Sequence, residues 1–193
     1  PHLFKNRPLV VMYGATMLFA TGYYTCYSYI EPFLQQVASF DAGMITVSLT
    51  VFGVAGILGS MLFSRLYDGR SQLFLALSIA GVVVALALLR VVAGSVPAVL
   101  AVFMLWGCCG TAFNVAFQAE IIKGVEEDES SVAMSIFSGL FNFGIGAGSA
   151  LGGALVTSVS IEAIGLVGAV VVAVCWVVTV AVLFRLMRAR AVA

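Results

Sequence analysis

Apolar residues run along this chain in six long blocks, separated only by short polar stretches. The blocks are Leu9–Ile30, Met44–Phe63, Leu73–Val92, Ala98–Ile122, Val132–Thr157 and Ile161–Phe184. Between them lie "EPFLQQVASFDAG", "SRLYDGRSQ", "AGSVP", "KGVEEDESS" and "SVS". A helix crossing a bilayer needs about 20 mostly apolar residues, and every block is close to that length. None shows the alternation of a membrane β-strand. The pattern predicts an all-α integral membrane protein of six transmembrane helices, with residues 1–8 ahead of them and a basic tail over 185–193.

Composition agrees with that solvent. Hydrophobic residues make up 62% of the chain, charged residues only 9%, and the mean hydropathy is +1.14, far from a soluble globular domain. The formal net charge is zero, so nothing points to nucleic acid. The opening "PHLFKNRP" has no signal-peptide grammar and reads as part of a longer polypeptide. Cys26, Cys108, Cys109 and Cys175 sit inside apolar runs without metal-ligand or CxxC spacing and read as small apolar filler.

Orientation follows from Lys and Arg, which favour the cytoplasmic side. With the N-terminus inside, Lys5, Arg7, Arg65, Arg70, Lys123, Arg185, Arg188 and Arg190 are all cytoplasmic and only Arg90 is outside. Both termini are therefore expected inside. The acidic run Glu126–Glu129 weighs little in this rule; it reads as a solvated loop with Ser130 or Ser131 capping the next helix. The tail "RLMRAR" reads as an anchor near anionic headgroups.

Enzyme chemistry finds no footing. His2 is the sole histidine and lies in the N-terminal segment, so no catalytic residues, metal ligands or cofactor are expected. "GIGAGSALGG" lacks the third glycine of a dinucleotide fingerprint and the strand that should precede it. Its small residues at Gly144, Gly148 and Gly152 instead allow close approach of a neighbouring helix. "GVAGILGS" makes a similar stripe in the second helix.

The informative residues are polar ones inside the spans, because unpaired polar groups in hydrocarbon are costly. At 100° per residue, Tyr23, Tyr24, Tyr27, Ser28 and Glu31 fall within an arc of roughly 140°. Thr16 lies on the same side, and Tyr29 points away. Such a stripe fits a polar cavity; an interfacial aromatic belt remains an alternative, above all for Tyr29. Glu31, beside Pro32 at the outer end, is either an interfacial charge or a proton carrier. The fourth helix sets Thr111, Asn114 and Gln118 on one face, with Glu120 nearly opposite. The fifth aligns Ser135, Ser138 and Asn142, with Ser149 nearby. The serines suit interhelical hydrogen bonds. Asn114, Gln118 and Asn142 suit either that role or a sugar-like ligand.

Two of these stretches resemble a known family. "YTCYSYIEPFL" resembles the seventh helix of sugar efflux transporters in the major facilitator superfamily, and "VAMSIFSGLFNFGIGAGSALGG" resembles their eleventh. The similarity extends from "LFKNRPLVV", like the end of the central cytoplasmic linker, to the basic tail. The resemblance implies the C-terminal half of a twelve-helix exporter, built from two inverted three-helix repeats and partnered by an N-terminal six-helix half. It implies proton-coupled efflux of arabinose-like sugars or related small polar solutes across the bacterial inner membrane by alternating access. Tyr24, Tyr27, Ser28, Asn114, Gln118 and Asn142 would then line the solute path, with the proton gradient as the driving force and Glu31, Arg65 and Asp68 as gating or coupling residues. The loop "SRLYDGR" keeps Leu66 and Asp68 of the superfamily's G-x-L-x-D-R-x-G-R signature. Ser64, Gly69, Ser71 and Gln72 depart from it, so a tight turn explains the loop as well as a gate. Efflux of amphiphilic drugs, or a non-transporting membrane scaffold, are the competing readings.

Overall fold

A computed structural model describes residues 6–192. Residues 1–5, with His2 and Lys5, and the Arg190 side chain lie outside the described part. Six helices are long and apolar enough to cross a membrane, and the described residues contain no strand. Helix α1 (Arg7–Tyr27) and the short α2 (Ile30–Gln36) form the first span; α3 (Ala42–Leu66), α4 (Ser71–Val92) and α5 (Val96–Lys123) follow. A 3-10 turn over Glu127–Glu129 leads into α6 (Ser130–Ser158). The last span runs from α7 (Ala163–Val178) through a π-turn at Thr179–Leu183 into α8 (Phe184–Val192).

Local chemistry sets the ends. Asn6 caps α1 by accepting from the Leu9 amide, with Pro8 in the first turn where a missing N–H costs nothing. Asp41 caps α3, its Oδ1 accepting from the Met44 amide at 2.8 Å. Gly69 takes the turn between α3 and α4 at φ 77°, a conformation that glycine adopts freely. The expected serine cap of α6 does not form. Glu129 occupies the cap position without a side-chain bond, and the Ser130 hydroxyl donates back to the Glu126 carbonyl at 3.2 Å. The 3-10 turn makes this possible by bringing that carbonyl within reach.

The first span is broken where continuous helix was expected. Pro32 has no N–H to offer the Ser28 carbonyl, and its ring crowds that group. The helix stops at Tyr27 and resumes at Ile30, with Tyr29 at φ −119° and ψ 17°. Pro32 thereby falls in the first turn of α2, where its lack of a donor is harmless. The regular 100° spacing that aligned Glu31 with Tyr24 and Tyr27 therefore ends at the break.

Packing follows a two-fold logic. Helix α1 packs mainly on α6 and α7, while α5 packs on α3 and α4; α4 and α7 meet each other. Exchanging the triplet α1–α4 for the triplet α5–α8 maps the first set of contacts onto the second. That is the pattern of two interlocked three-helix repeats. Glycines make the closest contacts. A Cβ at Gly148 would stand 3.0 Å from the Thr25 amide nitrogen and closer still to the Thr21 carbonyl; one at Gly144 would stand 2.9 Å from the Met17 carbonyl. Gly59 and Gly107 do the same between α3 and α5, each set against a backbone carbonyl, of Cys108 and Phe52 respectively. Gly53 meets nothing within 4 Å, so the α3 stripe acts through Ala55, Gly56 and Gly59, with Ala55 set against Gly107.

Candidate functional site: a mid-membrane aromatic and amide cavity

The polar faces of α1 and α5 meet at one cavity of about 220 Å³, lined by Phe19, Tyr23, Tyr24, Gly110, Thr111, Asn114 and Phe141; α6 adds only the Phe141 ring, and its polar face with Ser135, Ser138 and Asn142 does not line it. Each of the lining residues lies well inside its span, so the cavity sits near mid-depth. Backbones of α1 and α5 stay apart here, and rings bridge the gap. Phe19 stacks on Phe113 at 3.7 Å between centroids, and Tyr23 reaches Trp106 at 5.3 Å. Gly110 makes room for this, because a Cβ there would stand 2.8 Å from Tyr23 Cε2.

Tyr24 sets its ring edge-on to Phe141 at 6.2 Å and to Tyr27 at 5.6 Å. Tyr27, one turn on, packs on Phe52 and Trp106 rather than on the cavity itself. Gln118 Nε2 donates to Asn114 Oδ1 at 2.5 Å. That bond fixes the Asn114 amide and turns its own NH2 group into a donor for something else.

The remaining candidates are placed differently. Ser28 exchanges a 2.7 Å hydroxyl bond with Ser149, and the Tyr29 hydroxyl donates to the Ser149 carbonyl at 3.1 Å. Both bonds hold the end of α1 against α6. Tyr29 also lies over Gly152 and Gly153, so it fills a glycine furrow rather than joining the stripe. Asn142 is exposed and donates to the Ser138 carbonyl one turn back. Thr16 is fully buried and donates to the Met12 carbonyl. Glu31 is exposed in the first turn of α2. Arg65 and Asp68 are exposed at the end of α3 and in the turn after it.

The residue of that turn that does reach inward is Tyr67, 3% exposed, whose hydroxyl donates to the carboxylate of Glu120, itself 6% exposed. Lys123 lies over the Tyr67 ring, 4.4 Å from its centroid. Burial, reinforced by Glu120 and by nearby Asp68, pushes the Tyr67 hydroxyl well above the ordinary phenol range. It therefore stays a neutral donor. At the opposite end, Arg90 Nε pairs with Glu162 at 2.9 Å, separated from the end that gathers Arg7, Lys123 and Arg188.

Phe19, Gly110 and Phe141 were not singled out from sequence. Apolar residues in a chain this apolar carry no contrast, and only their spacing from Tyr23, Asn114 and Asn142 hinted at them. Among the described residues no cluster of His, Cys, Asp and Glu could hold a metal ion.

A family model described as Major Facilitator Superfamily matches residues 12–192. The chain belongs to the major facilitator superfamily. Members of this superfamily are membrane transporters, so the six spans are those of a multi-pass transport protein.

Proposed function

We propose that this chain is the C-terminal half of a proton-coupled exporter of sugars or related small polar solutes, with both termini cytoplasmic in a bacterial inner membrane. The observation that carries this reading is the cavity itself. It joins aromatic faces able to stack on a sugar ring with an oriented amide and a threonine hydroxyl able to meet its hydroxyl groups. Its mid-depth position suits alternating access, in which two halves rock around a central solute. An N-terminal six-helix half would close the other side and would supply the coupling acid, since this chain places no carboxyl group in the cavity lining.

Tyr24 and Asn114 are the direct contacts of this proposal. Tyr27 supports Tyr24, and Gln118 orients Asn114. Ser28 and Asn142 lie on flanking surface and serve the path rather than the pocket. Of the gate or coupling positions, Glu31 is assigned the gate at the outer end, and Arg65 and Asp68 stay gate or coupling positions at the opposite end. The test is efflux of labelled arabinose from cells carrying the intact protein. Tyr24→Ala and Asn114→Ala should each reduce transport at least about tenfold, as expected when stacking or an oriented hydrogen bond of about 1.5 kcal/mol is lost. Unchanged efflux in both variants would remove the cavity from the mechanism. Glu31→Gln, assayed under an imposed pH gradient, should leave coupling intact.

A second reading has its own support. Four of the seven lining residues are aromatic, which also suits flat amphiphilic cations. Extrusion of lipophilic cations with no arabinose efflux would favour it.

A further inference from the structure

Away from that cavity, the seam between α4 and the last span opens at one membrane end into a larger cavity of about 750 Å³. Three cations from three separate elements line it: Arg70 before α4, Lys123 ending α5, and Arg188 in α8. No carboxylate is among its lining residues. Asp68 is nearby but exposed in the turn, and Glu120 is engaged by the Tyr67 hydroxyl behind the ring. Two of the cations are held in place. Arg188 Nε donates to Gln72 at 3.2 Å, and Lys123 rests on Tyr67. The first turn of α4 has no side-chain cap, so its amides add to the positive character of the site.

The seam does not end there. Ala76 and Val180 line the cavity on its membrane side, and the same two helices continue into an apolar groove of about 220 Å³ beside Ala80, Val84, Ala173 and Trp176. Small residues at Ala76, Ala80 and Ala173 leave the furrow. Its floor is pinned by Trp176 Nε1, which donates to the Ala76 carbonyl at 2.9 Å. From Ala76 to Val84 the helix rises about 12 Å, a depth that an acyl chain can follow.

We propose that this seam binds an anionic phospholipid, with the phosphate among Arg70, Lys123 and Arg188 and an acyl chain in the groove beside Ala80 and Trp176. A soluble anion would explain the cations but not the apolar extension. A neutral lipid would explain the groove but not three uncompensated charges. Basic pockets between membrane helices are an established way to hold such headgroups, and the site is independent of which solute the transporter carries.

The test is native mass spectrometry of the full-length, delipidated protein titrated with phosphatidylglycerol or phosphatidylcholine of identical chains. Three cations predict a preference for phosphatidylglycerol of about a hundredfold. Arg188→Gln should reduce it about fivefold, and Arg70→Gln/Lys123→Gln/Arg188→Gln should abolish it. Ala80→Trp fills the groove and should weaken both lipids while leaving every charge in place, which keeps the test decisive if the triple variant misfolds. Equal retention of the two lipids, or retention unchanged in Arg188→Gln and Ala80→Trp, would overturn the proposal. Displacement of the lipid by inorganic phosphate with no effect of Ala80→Trp would overturn it in favour of a plain anion site.

Discussion

Replacing Tyr67 by Phe removes one hydroxyl and nothing else from the end of α3. The ring keeps its packing on Phe63, 4.5 Å between centroids, and its position under Lys123 at 4.4 Å. What is lost is the bond to Glu120, a carboxylate only 6% exposed. A hydrogen bond to a charged group contributes about 1.5–3 kcal/mol, and a buried acceptor left unpaired costs a similar amount. Tyr67→Phe should therefore destabilise the protein by about 1.5–3 kcal/mol, or roughly 3–12 °C in Tm for a chain of this size. Glu120→Gln keeps an acceptor for the phenol and should cost less. Tyr67→Phe/Glu120→Leu should cost less than the sum of its parts, because neither partner is then stranded. Thermal unfolding of the detergent-purified variants reads all three. A Tm for Tyr67→Phe within the scatter of neutral surface variants, about 0.5 kcal/mol, would refute the claim that this bond ties α3 to α5.

The same phenol makes a pH prediction. Burial, with the bond to Glu120, holds its folded-state pKa above that of an ordinary phenol, so the folded state holds the proton more tightly than the unfolded state. The resulting stability is complete below about pH 10 and falls as pH rises beyond it; the wild-type minus Tyr67→Phe difference in Tm should shrink there. Among the glycines, Gly148→Val should disrupt the α1–α6 seam, since even its Cβ would crowd the Thr21 and Thr25 backbone, and overpacking costs about 1–3 kcal/mol. Gly146→Ala, two residues away with nothing within 4 Å, should be neutral or stabilising by up to about 1 kcal/mol, as measured by the same melts.

How much of this was legible in the sequence depends on how each feature announces itself. Span number follows from hydropathy alone, and the Gly144–Gly148–Gly152 stripe follows from its spacing. Both needed only local information. The break after Tyr27 was also local, in Pro32, but a count of apolar residues passes over it. The Tyr67–Glu120 bond joins residues 53 apart in sequence, and Glu120, read as turned away from the polar face of α5, is turned toward α3 instead. The aromatic and amide cavity was half legible. Tyr24, Thr111 and Asn114 stood out as polar residues in hydrocarbon, whereas Phe19, Phe141 and Gly110 could be found only once α1, α5 and α6 were placed side by side.

That placement also shows where the molecule can yield. The α1–α6 and α3–α5 seams are closed by glycines against backbone carbonyls, contacts with no side chain to adjust. Such seams move as rigid pairs or not at all. Between the pairs, α1 meets α5 almost wholly through rings: Phe19 on Phe113, Tyr23 on Trp106, Tyr27 on Trp106. The cavity lined by Phe19, Tyr23, Tyr24 and Phe141 opens beside this ring-packed seam. The glycine-locked pairs keep Tyr24 and Asn114 at fixed depth on the two sides of that cavity. On the proposed reading, recognition and rigidity fall to different seams of one bundle, and two variants should separate them: Gly148→Val lowering stability, and Tyr24→Ala lowering transport even when compared at equal amounts of folded protein, because its lost ring contacts are those of the cavity wall.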